Sequence, residues 1–259
     1  MNRKSTIYLL LTFVTTYVSW GSLAYLNSKN MHEMTSLGEF LLFFIGGFSS
    51  TFFAYVVTRI HSKEKLSEFH RRMVSLEKVL ANVWVIFLPI LFVILGQIIM
   101  LLSDGAMSFH VSNISWMSFP LFLLSAFILG GIEEIGWRGV VQEGMDKFKS
   151  LFLINFFIGT IWAFWHIPFF YIDSLVHSQS SFLWFWVSCL GYSSFLTIIY
   201  KKTKSVLLAI LFHTMINALG SLGVQVPMNQ NVPFMIYSVI LFLLGAVALI
   251  YVDRKEKVG

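Results

Sequence analysis

Eight long apolar stretches constrain this chain more than any other feature. They run at roughly 6–26, 38–59, 80–102, 117–139, 152–172, 182–200, 205–224 and 233–252. Each is long enough to cross about 30 Å of hydrocarbon as a helix. No water is present there to satisfy backbone groups, so continuous apolar runs of this length cross as helices, which bond internally. Only 12% of residues are charged, about half the share expected of a soluble domain. The fold class this predicts is all-α: a polytopic membrane bundle of about eight transmembrane helices. The first run, Ile7 to Leu26, exceeds a signal h-region and has no clear cleavage site after it, so it reads as an uncleaved first span.

The basic residues test that count. Sixteen of the 18 Lys and Arg fall in the amino terminus, in the second, fourth and sixth loops, and in the tail. With eight spans these all lie on one side, which the positive-inside rule makes the cytoplasm. Both termini are then cytoplasmic, in a multi-pass protein of a plasma membrane, bacterial in character. The net charge of +5 is explained by this distribution, so nucleic acid is not an expected partner; membrane lipid is. Cys189 has no second cysteine to pair with. The sequence divides into residues 1–115, with three spans and a charged segment at about 61–79 expected to lie along the cytoplasmic interface; a core at 116–224, with spans four to seven; and 225–259, the last span and a basic tail.

Ionisable groups deep in a span are costly and usually functional. Three clusters qualify. The fourth span holds Glu133, Glu134 and Arg138; the fifth holds His166 behind Trp162, Phe164 and Trp165; the seventh holds His213 and Asn217. Adjacent Glu133 and Glu134 point about 100° apart on a helix. Glu134 and Arg138, four apart, share a face and suit an ion pair. That leaves Glu133 free, and a carboxylate in an apolar cavity makes a better base. His213 and Asn217 also share a face and can both donate to a developing oxyanion, or the histidines can share a metal or a water. His213 and Glu133 lie at comparable depths from the cytoplasmic side, with His166 deeper. The three clusters together predict a polar intramembrane cavity. Gly191, Tyr192, Ser193 and Ser194 read as helix-packing residues.

Glu-Glu-x-x-x-Arg at 133–138, a histidine after aromatics at 166 and His-x-x-x-Asn at 213–217 resemble the CAAX-protease and bacteriocin-processing (Abi) family of membrane endopeptidases, over about residues 116–220. Trp162 stands where the family pattern often has Phe. The resemblance implies hydrolysis of a peptide bond in a protein or peptide substrate, prenylated or otherwise membrane-associated. It implies Glu133 and His166 as the water-activating pair, His213 and Asn217 as the oxyanion site, and Glu134 and Arg138 as supporting residues. The family is often labelled metalloprotease. Zinc bound by Glu133, His166 and His213 is one reading of the donor set, a metal-free mechanism the other; the His-Glu-x-x-His motif is absent.

Substrate access is expected from the cytoplasmic side. Two readings of other classes use the same charges. One is a non-catalytic scaffold or bacteriocin-immunity protein that binds a partner through the cavity. The other is a solute transporter, which the lack of repeat symmetry or matched broken spans disfavours.

Overall fold

The computed structural model describes residues 1–29, 37–104, 116–145 and 147–258. The described residues form helices and no strands: α1 (Arg3–Ser28), α2 (Leu37–His61), α3 (Leu66–Met73), α4 (Glu77–Leu80), α5 (Leu88–Asp104), α6 (Phe119–Leu129), α7 (Glu134–Gly136), α8 (Leu151–Trp165), α9 (Phe182–Thr203), α10 (Val206–Ser221) and α11 (Asn231–Val258). Several starts follow from local chemistry. The side chains of Asn2, Ser150 and Ser205 accept from backbone N–H groups of the first turns of α1, α8 and α10, satisfying donors that a helix start leaves unpaired.

Among the described residues, seven helical segments are long and apolar enough to cross a membrane, and the protein is an integral membrane protein. The eighth expected span differs. It is α10, a helix of 16 residues, about 24 Å at 1.5 Å per residue. It is shorter because it lies inside the bundle rather than against lipid: ten of its positions from Val206 to Leu219 are buried, Leu208, Ala209, Phe212 and Ala218 with no exposed surface.

Contacts nevertheless place α10 as a full return of the chain. Gly191 packs on Leu241, and three residues later Ser194 meets Gly245, so α9 and α11 run in the same direction. The chain between them must come back, and α10 carries it. The small residues at 191–194 serve this close approach of two backbones.

One end of the bundle gathers the basic loops. There the Asn2 N–H donates to Gly144 O, Lys4 Nζ to Thr58 Oγ1 and the Leu151 N–H to the Asp253 carboxylate. Arg72 binds Glu64 at 3.1 Å and Glu143 at 3.4 Å. At the opposite end the Asp173 N–H donates to Asn27 Oδ1, and Gln97 Nε2 to Val224 O. The charged segment after α2 is partly helical. It forms short α3 and α4, and α3 buries Phe69 and Met73 completely, with Met73 against Gly139.

Candidate active site

The fourth span is not one helix. Between Phe119 and Met145 the chain passes from α6 through a 3-10 turn at Gly131–Glu133, then α7, then a π-helical turn at Trp137–Gln142. The two glycines explain the first break. Asn217 of α10 fills the place of a Gly130 side chain, and Thr214 that of Gly131, with Ile210 O 2.9 Å from where the Gly131 Cβ would be. Backbone therefore crosses backbone, and the break seats two carboxylates in the bundle core. π turns inside helices are frequent at functional sites.

Each glutamate meets a different set of partners. Glu134 is fully buried and pairs with Arg138 at 3.0 Å; its Oε1 lies 2.8 Å from His213 Nδ1. Arg138, also without exposure, donates from Nη2 to Ser193 Oγ and Ser193 O on α9. Glu133 Oε2 accepts the indole N–H groups of Trp162 at 3.1 Å and Trp137 at 3.3 Å. Its backbone carbonyl accepts from Ser50, which in turn meets Tyr8 Oη at 2.7 Å. The i,i+4 step from Glu133 to Trp137 was readable in the sequence, by the same spacing that links Glu134 to Arg138. The Glu134–His213 contact joins two separate helices and left no local signal.

His166 caps α8, and its Nδ1 lies 2.8 Å from Trp162 O. A carbonyl only accepts, so Nδ1 carries the proton and Nε2 presents a lone pair. His177, from the 3-10 turn at Val176–Gln179, stacks its ring parallel to that of His166 with centroids 6.4 Å apart. The sequence reading did not single it out, and nothing in its neighbours would have.

A single cavity of about 510 Å³ collects these groups. Glu133, His166, His213 and Asn217 line it; so do His177 and Cys189. Glu134 and Arg138 lie behind the wall. His213, Glu133 and His166 stand at successive heights from the basic end: His213 is seven residues into α10, Glu133 twelve before Met145, His166 fifteen after Leu151. Glu133 is deeper than the sequence reading had it because its helical run continues to Met145.

The donor set does not suit a resident metal. Among the described residues no three His, Cys, Asp or Glu side chains converge closely enough to hold an ion. The groups fit a bound water and a polarised carbonyl better.

Known proteins are similar to the segment that holds these residues. The pattern of the family described as Type II CAAX prenyl endopeptidase Rce1-like matches residues 115–219, the segment that carries all six motif residues. A CAAX prenyl protease 2 of Methanococcus maripaludis is 29% identical over 98% of this chain and 96% of its own length. The motif residues, brought to one cavity wall and its support, thus lie in a segment similar to the CAAX prenyl endopeptidase family, in a chain similar nearly end to end to one such protease.

Proposed function

We propose that the chain hydrolyses a peptide bond within the membrane, with Glu133 as the base that activates water and no metal taking part. The observation that carries this is Glu133 at a cavity wall, with one carboxylate oxygen fixed by two indoles and the other left for a water. His166 supports the role, since its Nε2 lone pair can orient the same water.

His213 and Asn217 supply the donors for the oxyanion. With Nδ1 held by Glu134, His213 donates from Nε2 only as an imidazolium, and Glu134 is the counter-ion placed for it. The reaction then balances. Water loses a proton to Glu133 and its oxygen bonds the scissile carbonyl carbon. The carbonyl oxygen takes the negative charge beside His213 and Asn217. As the C–N bond breaks, Glu133 returns its proton to the leaving amine.

The substrate class is a protein or peptide held at the membrane, prenylated CAAX sequences among the candidates, acting in a plasma membrane with both termini cytoplasmic. The test is cleavage of a peptide panel, including a farnesylated CAAX peptide, by purified protein in detergent, comparing wild type with Glu133→Gln. Cleavage lost with Glu133→Gln supports the assignment, and cleavage that persists sinks it. A folded Glu133→Gln protein that keeps its biological effect points instead to a scaffold or immunity role.

A further inference from the structure

Two tyrosines of the cavity wall take no part in the chemistry at Glu133. Tyr192 lies one turn beyond Ser188 and Cys189 on the cavity face of α9, and Tyr237 one turn beyond Phe234 on α11. The next residue of α9, Ser193, turns away to accept from Arg138. The two phenol oxygens meet at 2.7 Å, and the side chains are only 8% and 2% exposed. Gly191 allows the approach of α11 beside them: a Cβ there would stand 2.7 Å from Leu241 Cγ and 3.0 Å from its backbone carbon. Backbone packing therefore sets the spacing of the pair.

A count of hydrogens leaves one over. Each phenol carries one O–H, and one of the two donates to the other. The remaining O–H finds no acceptor among the described residues, although buried polar groups in folded proteins are overwhelmingly partnered. A second group on this wall is half used. Gln225 donates from Nε2 to Ile216 O, and its Oε1 receives no donor among the described residues. Gly96 of α5 brings these neighbours together, since a Cβ there would stand 2.8 Å from Val226 Cγ2 and 3.7 Å from Tyr237 Cε2. The wall thus offers a spare donor and a spare acceptor among Val226, Met228 and Phe234. A peptide unit presents the converse, a C=O and an N–H; a hydrocarbon chain presents neither.

We infer that Tyr192 and Tyr237 form a subsite for the main chain of the substrate. Their spare O–H donates to a backbone carbonyl outside the cleaved bond, and Gln225 Oε1 is the acceptor for an N–H. The inference rests on the proposed peptidase activity and adds binding contacts to it; the pair has no role in breaking the bond.

Kinetics of the double variant Tyr192→Phe/Tyr237→Phe test it. Removing both hydroxyls together strands neither in the apolar wall, so the variant should keep its fold, which its unfolding curve in detergent checks. The substrate is a peptide that the wild type cleaves. It is also made with one non-scissile carbonyl at a time replaced by a thiocarbonyl, which keeps the N–H but accepts a hydrogen bond poorly. The expected result is a KM raised roughly 3–10-fold at unchanged kcat, as for the loss of one net hydrogen bond. At one position the thiocarbonyl should raise KM for the wild type by a similar factor and have no further effect on the variant. Should the double variant unfold, the single variants decide: at least one must show the same rise in KM and the same insensitivity.

A folded variant with the KM of the wild type overturns the inference, as do thiocarbonyl effects equal in both enzymes at every position. Either result leaves the peptidase standing, with the pair serving only to join α9 to α11. A wild type that cleaves no peptide of the panel, the farnesylated one included, removes the peptidase assignment and the inference with it.

Discussion

His213 Nδ1 lies 2.8 Å from Glu134 Oε1, so the second of two adjacent glutamates serves a histidine on another helix while the first faces the cavity. Glu134 also holds Arg138, and none of the three has appreciable exposure. Neighbouring carboxylates thus have separate duties: one sits where chemistry is possible, the other fixes the ring and the cation that surround it.

The two glutamates should fail differently. Glu134→Ala leaves Arg138 buried without its counter-ion, a loss of about 3–5 kcal/mol, and should unfold the protein at clearly lower denaturant or temperature in detergent. Glu133→Gln keeps an oxygen for the indole donors, so its stability should stay within about 1 kcal/mol of wild type while cleavage falls by roughly 10²–10⁴. The opposite pattern, an unstable Glu133→Gln and an active Glu134→Ala, exchanges the two roles.

Much of this was legible before any coordinates. The lengths of the apolar runs gave the bundle, and the basic loops gave the alternation, because burial and the membrane potential act on composition directly. The i,i+4 geometry linked Glu134 to Arg138 within one segment. What stayed hidden depended on helices meeting. The glycine break at 130–131 exists because α10 crosses there, and the Glu134–His213 contact because that crossing brings together residues 79 apart in sequence. The position of the cavity among the halves of the helices away from the basic loops required knowing which half of each helix packs tightly, and no periodicity records that.

Oxyanion donors should carry much of the rate. Removing one typically costs about 10²–10³ in turnover, so His213→Ala and Asn217→Ala should each lower kcat by that order with KM little changed. Asn217→Asp replaces a donor with an acceptor and should be worse than Asn217→Ala. An Asn217→Ala enzyme with unchanged kcat removes Asn217 from the mechanism.

The crossing at the glycines separates packing from chemistry. A methyl at Gly131 would overlap Thr214 and press on Ile210 O; backbone cannot swing aside, so Gly131→Ala should cost about 1–3 kcal/mol. A methyl at Gly130 meets chiefly the end of the Asn217 side chain, which can rotate away. Gly130→Ala should therefore lower kcat more than stability. Unfolding curves and initial rates on the same preparations would show whether the two substitutions diverge.

The donor set also predicts indifference to chelators. With no three ligating side chains converging among the described residues, activity after 1,10-phenanthroline treatment and desalting should match the untreated enzyme. Loss of activity that added zinc restores would require a metal and overturn the proposed water activation by Glu133 alone.

His177 offers a pH-dependent reading of the cavity rim. Burial pushes its imidazole down from the usual 6.5 to about 4, and its Nδ1 is buried with no hydrogen-bond partner among the described residues. The unfolded chain therefore takes up the proton first as the medium acidifies. Stability that is fully present above pH 6.5 should decline as pH falls and level off only below about 4, where the folded state is protonated as well. His177→Gln has nothing to titrate at that position and should show a shallower decline over the same window. The unfolding midpoint in detergent between pH 4 and 7, followed for both proteins, checks this. Parallel curves would mean that His177 is protonated equally in the folded and unfolded chain, and that the rim around it is wetter than the packing of Phe169, Phe170 and Phe185 on its ring implies.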